Sequence, residues 1–93
     1  MNNATTKLKV LVVDDYPSIT STLAEIFEDE GYETARAYSG EEAVKVAVSF
    51  RPNFIVSDVR MGALNGIDAT MKILGALPEC KVLFISGDLL STA

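Results

Sequence analysis

The stretch "VLVVDD", residues 10–15, is the most informative in the sequence. Four apolar residues, three of them valine, run directly into two adjacent carboxylates, Asp14 and Asp15. An apolar run of this kind is typical of a central strand that is covered on both faces. Two carboxylates at the end of a buried strand repel each other, so the pair indicates a bound cation or another use of concentrated negative charge.

The composition of the chain bounds its class. Its 93 residues predict a single domain, and a hydrophobic fraction of 48% is enough for a packed core. No apolar run approaches the ~20 residues that a membrane-spanning helix needs, and the one cysteine, Cys80, cannot form an internal disulfide, so we expect a cytoplasmic protein without membrane contact. Cys80 itself is expected to be an inert, partly buried thiol.

The charge pattern and the missing residue types restrict the partners. The net charge is −5 and no basic run is present, so no direct contact with nucleic acid is expected. The chain has no histidine, which leaves oxygen atoms as the ligands for any metal ion and favours Mg²⁺. P-loop nucleotide binding is also excluded, because no glycine-rich loop is followed by lysine and serine or threonine.

Strand and helix patterns alternate along the chain. Residues 1–7 are polar and predict a disordered lead-in, followed by one domain at residues 8–93. The alternation predicts an α/β fold, a doubly wound parallel sheet with helices on both faces. The predicted strands cover residues 7–13, 32–38, 53–58 and 81–86, and the predicted helices begin near Pro17, Ser39 and Ile67.

Apolar spacing within each helical segment predicts the side that packs on the sheet. Ser39 and Glu42 have the spacing of a capping box, which places the start of the second helix. The second strand is mixed in polarity and predicts an edge strand. The predicted apolar stripe of the first helix is Ile19, Leu23, Ile26 and Phe27, and the predicted inner face of the second is Ala43, Val44, Ala47 and Val48. The spacing of Ile67, Met71, Leu74 and Leu77 predicts the third helix.

Polar side chains follow three of the predicted strands. Asp14 and Asp15 follow the first strand, Asp58 ends the third, and Ser86 ends the fourth. Ligands of open α/β sheets collect beyond the carboxyl ends of the strands, so these side chains meet if the three strands are neighbours. Three carboxylates in one place need a cation, and Mg²⁺ binds one or two carboxylates while keeping waters that a phosphoryl group can replace.

Three separated motifs resemble one family. "VLVVDD" (10–15), "IVSDVRMGALNG" (55–66) and "VLFISGD" (82–88) are similar to the CheY-like receiver domain of two-component response regulators. The resemblance covers nearly the whole chain from Lys9 onward. It implies a flavodoxin-like sheet of strand order 2-1-3-4, and it implies that the domain is truncated after its fourth strand, without the family's fifth strand and last helix.

The resemblance also implies roles for individual residues. Asp58 matches the aspartate that accepts a phosphoryl group from a sensor histidine kinase or a phosphotransfer protein. Asp15 matches a direct ligand of Mg²⁺, Asp14 a ligand through water, and the backbone carbonyl of Arg60 a further ligand, with Asp58 completing the metal set. Ser86 matches the switch hydroxyl that hydrogen-bonds the phosphoryl group.

The sequence departs from the family pattern at two places. Gly62 stands where the family usually has proline, which is expected to loosen the segment after Asp58. The family's fifth strand carries a lysine and an aromatic switch residue, whereas no lysine follows Lys81 here. Phosphorylation of the 93-residue chain is therefore expected to be impaired.

Several interpretations remain open from the residues alone. The expected function is a phosphoacceptor receiver domain, not an enzyme, that controls an output by changing conformation. The alternative is a non-phosphorylated module that keeps the fold as a docking surface. A small phosphohydrolase would need a general acid two residues after Asp58, where Arg60 stands instead. Asp14 could also be a helix cap with Asp15 merely solvated.

The fourth predicted strand carries a further expectation. Its composition is that of a buried strand, yet it lies at the edge of the predicted sheet. We therefore expect that the 93-residue chain is not a self-sufficient monomer: either it is a fragment of a longer polypeptide, or two copies cover each other's fourth strand.

Overall fold

The structure is a computed structural model that describes residues 7–59 and 66–85. Strands and helices alternate along the chain as predicted. Each observed boundary lies within two residues of the predicted one. The elements are β1 (Lys9–Val13), α1 (Pro17–Asp29), β2 (Glu33–Ala37), α2 (Gly40–Phe50), β3 (Phe54–Asp58), α3 (Gly66–Ala76) and β4 (Lys81–Ile85). All strand pairs are parallel and the order is β2-β1-β3-β4, which confirms the predicted topology.

The strand register sets the carboxyl ends of the strands at one edge of the sheet. Val13, the last residue of β1, lies opposite Ala37 of β2 and Ser57 of β3. Asp58, the last residue of β3, lies opposite Ile85, the last residue of β4. The residues that follow β1 therefore come next to the end of β3, as the sequence predicts.

Apolar side chains fill both faces of the sheet, and β1 contributes to each face in alternation. Leu11 and Val13 pack with α2 and α3, whereas Val10 and Val12 pack against α1. All four are buried, which confirms β1 as a central strand covered on both faces. The α2 and α3 side also holds Ala43, Ala47, Ile55, Ile73 and Cys80, and the α1 side also holds Ala24 and Val56.

The helices pack through smaller side chains than the apolar spacing predicted. Ile26 of α1 and Val48 of α2 are more than half exposed, so their prediction as inward-facing residues is wrong. Met71 lies in α3 as predicted and is 68% exposed. One residue turns a helix by about 100°, so a small error in the chosen stripe moves a large side chain to the solvent side. Ile67 is also half exposed. Ala43 and Ala47 are buried as predicted, and the other buried helix residues are Thr20, Ala24, Gly40, Gly66, Ala69, Thr70 and Ile73.

The start of α2 confirms the predicted cap. The amide of Glu42 donates to Ser39 Oγ over 3.1 Å, and Glu42 Oε1 accepts from the Tyr38 amide over 2.7 Å. Two amide groups at the helix start are thus satisfied by side chains. The helix ends at Phe50, and its C-cap residue Arg51, which precedes Pro52, has a left-handed φ of 54°.

The outer strands differ in character. β2 lies at one edge, as predicted from its mixed polarity, and β4 is the outer strand at the other edge of the described sheet. Leu83 and Phe84 of β4 are exposed, at 59% and 40%. Across residues 7–59 and 66–85, none of the helices combines the length and the apolar character that crossing a bilayer requires.

Candidate acidic site at the carboxyl edge of the sheet

Three carboxylates meet beyond the carboxyl ends of β1 and β3. Asp14, Asp15 and Asp58 each offer an oxygen atom, and the three atoms lie within 4.8 Å of one another. Asp14 and Asp58 are only 2% and 6% exposed, whereas Asp15 is exposed. The structure therefore brings together three of the residues that the sequence singled out; their roles as metal ligands remain a prediction.

Asp14 is fixed by hydrogen bonds at its backbone and at its side chain. Its amide donates to the Ala37 carbonyl over 3.1 Å, and its carbonyl accepts from Thr20 Oγ1 over 3.0 Å. Its Oδ1 accepts from the Tyr16 amide over 2.9 Å, which is the pattern of an Asx turn. The N-cap residue of α1 is Tyr16, so Asp14 shapes the turn before the helix and is not its cap.

The electrostatic setting of Asp14 disfavours its negative charge. Burial raises the pKa of its carboxyl group, and the nearby charges of Asp58 and Asp15 raise it further. The hydrogen bond from the Tyr16 amide lowers the pKa of Asp14, but the net change is upward. A cation beside these groups would stabilise their ionised forms, which is what a metal site built from carboxylates requires.

Asp58 is held through the peptide that follows it. The Val59 amide donates to the Ile85 carbonyl over 3.1 Å, and the Asp58 carbonyl accepts from Ser57 Oγ over 3.1 Å. Gly66, the first residue of α3, lies directly against this carbonyl. Since Asp58 also pairs in register with Ile85, its position depends on both β3 and β4.

Sequence reasoning missed the neighbours that fix the acids. Thr20, Ser57 and Gly66 are all buried next to Asp14 or Asp58, and none of them was singled out for such a contact. Two signals in the sequence could have identified Thr20 and Ser57. Thr20 lies one helical turn before Ala24, and Ser57 interrupts an apolar strand. A polar side chain at such a position is expected to be buried, and a buried polar group needs a hydrogen-bond partner.

Two predicted site residues lie outside the described residues. These are Ser86, which follows directly after the end of β4 in the sequence, and Arg60, the predicted source of a backbone carbonyl ligand. The departure at Gly62 also lies there. Their predicted roles stay predictions.

The whole arrangement matches a known family. The family model described as the response regulator receiver domain matches residues 10–91. This chain belongs to the response regulator receiver domain family. The receiver domain therefore includes every predicted site residue, and the interpretation drawn from the three motifs is confirmed.

Individual relatives give the same picture. The receiver domain is 35% identical to chemotaxis protein CheY of Thermotoga maritima over 79 residues, covering 84% of this chain and 66% of that protein. It is 33% identical to response regulator GacA of Pseudomonas aeruginosa over 81 residues, covering 85% of this chain. It spans only 38% of the length of GacA.

Solved structures show the same fold. Vibrio cholerae CheY4 superposes with a TM-score of 0.80 at 31% identity, covering 85% of this chain and 68% of that one. The receiver domain from the hybrid histidine kinase CckA also gives a TM-score of 0.80, at 33% identity, covering 86% of this chain and 76% of that one. These neighbours support the CheY-like assignment of the parallel sheet and its three helices.

Proposed function

We propose that this receiver domain accepts a phosphoryl group on Asp58 from a sensor histidine kinase or a phosphotransfer protein. The reaction uses Mg²⁺, and the phosphorylated domain changes conformation to control an output. The observation that carries the proposal is the convergence of Asp14, Asp15 and Asp58 within 4.8 Å at the edge where open α/β sheets bind ligands. The receiver domain of a hybrid histidine kinase among the similar structures supports a kinase as the donor.

The donor atoms suit Mg²⁺. They are carboxylate oxygens, the ligands that this hard cation prefers. Burial, and after it the charges of Asp58 and Asp15, raise the pKa of Asp14, and a cation would favour its ionised form. Asp15 is the proposed direct ligand, Asp14 the ligand through water, and Asp58 and the Arg60 carbonyl complete the set. The bound ion would neutralise part of the negative charge on the phosphoryl oxygens.

Asp58 is the proposed nucleophile. One of its carboxylate oxygens forms a bond to phosphorus while the bond from phosphorus to the donor's imidazole nitrogen breaks. The electron pair of that bond leaves with the imidazole ring, which carries a proton on its other nitrogen and so departs uncharged. The product is an acyl phosphate on Asp58 and a neutral histidine. The domain is then a phosphoacceptor that changes state once, not an enzyme that turns over a separate substrate. A donor kinase of this type acts in the cytoplasm, where we place this domain.

Ser86 is the proposed switch residue. Its hydroxyl would gain a charge-assisted hydrogen bond to a phosphoryl oxygen only after Asp58 is phosphorylated. A contact made in one state and absent in the other is what shifts a conformational equilibrium. The register supports this role, because Ile85, the residue before Ser86, lies opposite Asp58.

The experiment that tests the proposal is phosphorylation by a small phosphoramidate or acyl phosphate in the presence of Mg²⁺. Intact-mass measurement should show one added phosphoryl group. Asp68→Asn is the matched control, since Asp68 is an exposed aspartate of α3.

The outcomes separate the two functions considered. Loss of labelling in Asp58→Asn, with labelling kept in Asp68→Asn, supports phosphorylation at Asp58. Equal labelling of Asp58→Asn and the unchanged protein would contradict it. A protein that neither the small donor nor a kinase labels, but that binds a partner through this fold, would instead be the non-phosphorylated interaction module.

A further inference from the structure

The peptide bond between Asp58 and Val59 is held at both of its polar groups. The Val59 amide donates to the carbonyl of Ile85 in β4 over 3.1 Å. The Asp58 carbonyl accepts from Ser57 Oγ over 3.1 Å, and the Ser57 side chain is almost completely buried. The peptide that directly follows the proposed phosphoacceptor is therefore fixed by both β3 and β4.

Gly66 makes the third contact with this peptide. A Cβ atom added at Gly66 would lie well under 3.0 Å from the Asp58 carbonyl oxygen and 2.8 Å from Ser57 Oγ. Because the nearest atom belongs to the backbone, no change of side-chain rotamer could relieve the overlap. Glycine is the residue that lets two backbone segments approach so closely. At Gly75, on the same helix, an added Cβ would meet nothing within 4 Å.

The requirement at Gly66 comes from spacing and not from backbone conformation. Among the described residues, the only glycine with a positive φ is Gly31. The backbone of Gly66 is therefore one that alanine adopts readily. An effect of Gly66→Ala beyond that of Gly75→Ala would therefore report the close approach of α3 to Asp58.

We propose that Gly66 and Ser57 are positioning residues for the phosphoacceptor. Gly66 lets the first turn of α3 sit directly against the Asp58 carbonyl, and the Ser57 hydroxyl holds the same carbonyl from within β3. Together with Ile85 they fix the plane of the peptide after Asp58, and with it the direction in which the Asp58 side chain points toward Asp14 and Asp15. This inference rests on the proposed function of Asp58.

The size of the effect follows from the geometry. Gly66→Ala must open the contact between α3 and β3 by roughly 1 Å, and a displacement of that size at a reacting group costs about 100-fold in rate. Removal of the Ser57 hydroxyl loses one hydrogen bond and leaves the spacing intact. Its expected effect is about two- to tenfold.

The test compares Gly66→Ala, Ser57→Ala and the matched control Gly75→Ala in the 93-residue chain. Three quantities are measured: the dissociation constant for Mg²⁺, the rate of labelling at Asp58 by a small phosphodonor, and hydrogen exchange at the Val59 amide by NMR. In Gly66→Ala we expect Mg²⁺ binding and labelling to weaken at least tenfold and Val59 to exchange faster, while the Val12 amide in the sheet centre is unchanged. Gly75→Ala should match the unchanged protein in all three.

A second comparison separates the two contacts at Gly66. Addition of Ser57→Ala to Gly66→Ala removes the hydroxyl but leaves the backbone overlap, so no recovery is expected. Recovery of wild-type Mg²⁺ binding in this double variant would overturn the proposal, since the hydroxyl alone would then set the spacing. Gly66→Ala that behaves like Gly75→Ala would also overturn it.

The remaining outcomes distinguish this inference from the proposed function. If Gly66→Ala does not fold, the test uses Ser57→Ala instead. In that variant, a Val59 exchange rate and a Mg²⁺ affinity equal to those of the wild-type protein would contradict the inference. If the unchanged protein is never labelled at Asp58 but Gly66→Ala and Ser57→Ala still speed Val59 exchange and weaken Mg²⁺ binding, the proposed phosphorylation fails and the positioning contact stands.

Discussion

The Thr20 hydroxyl donates a hydrogen bond of 3.0 Å to the backbone carbonyl of Asp14, across the junction between β1 and α1. Thr20 has no exposed surface, and its hydroxyl also lies 3.2 Å from the Tyr16 carbonyl. Water cannot replace a donor at such a position. The uncharged Thr20 therefore links the first turns of α1 to the acidic site by a hydrogen bond.

Thr20→Val tests this tie, because valine keeps the shape of threonine and removes only the hydroxyl. We expect the free energy of unfolding to fall by about 1–3 kcal/mol, since a buried carbonyl loses its donor. Chemical denaturation measures the change. Thr22→Val is the matched control: the exposed Thr22 makes a similar hydroxyl bond to Ser18. Its expected cost is under about 0.5 kcal/mol, and equal costs for the two variants would contradict the role of Thr20.

Asp15→Asn should weaken Mg²⁺ binding at least tenfold, because it removes one negative charge from the cluster and keeps the side chain's shape. The Tyr16 amide is the reporter, since it donates to the Asp14 carboxylate and its NMR shift should follow Mg²⁺ binding. Asp29→Asn, at the far end of α1, changes the net charge equally and should leave the affinity unchanged. Unaltered affinity in Asp15→Asn would show that Asp15 is not a ligand.

Asp14→Asn should stabilise the protein at neutral pH when Mg²⁺ is removed by a chelator. The folded-state pKa of Asp14 lies above its ordinary value of 3.8, so the folded state binds more protons than the unfolded state between these two values. The contribution of Asp14 to stability is therefore lost as pH rises through that window and stays low above it. Asparagine carries no charge there and can still accept from Tyr16.

The measurement for Asp14→Asn is the free energy of unfolding as a function of pH, with and without Mg²⁺. In chelator the variant's advantage should vanish below the ordinary pKa, where both proteins are neutral at this position. With Mg²⁺ the advantage should shrink, because the cation stabilises the ionised carboxylate. A variant that is less stable than the unchanged protein at pH 7 in chelator would refute the prediction.

The 93-residue chain should self-associate through β4. Leu83 is exposed on this outer strand of the described sheet, beside an apolar cleft of about 200 Å³ that Phe27, Tyr32 and Phe54 help to line. Antiparallel pairing of two β4 strands centred on Leu83 would set Lys81 opposite Ile85, so no like charges would meet. Exposed strand edges with apolar side chains are templates for such pairing.

Sedimentation over a range of concentrations tests the association. Leu83→Lys should shift the protein to monomer, because it places two lysines opposite each other at the centre of the pair. Val48→Lys adds the same charge at an exposed position of α2 and should leave the association unchanged. A chain that is monomeric at every concentration would show that the β4 edge is not a contact between copies.

Local patterns in the sequence were sufficient to predict the strands and helices of the fold and to single out the three aspartates of the acidic site. The alternation of strands and helices, the central position of β1, the cap made by Ser39 and Glu42, and the start of α1 at Pro17 all depend on residues close together in the chain. The pair Asp14 and Asp15 and the strand-end Asp58 could be singled out because strand ends in a parallel sheet share one edge.

Tertiary packing decided which residues of α1 are buried and how the acids are held, whereas the burial of Ala43 and Ala47 in α2 was predicted correctly from the sequence. The sheet accepts Thr20 and Ala24 of α1 and leaves Ile26 exposed, because close helix packing selects for small side chains that apolar spacing does not rank. Likewise, the need for glycine at residue 66 exists only because α3 meets the Asp58 carbonyl. Contacts between segments distant in the chain depend on distances of a few ångströms, and no periodic pattern in the sequence encodes them.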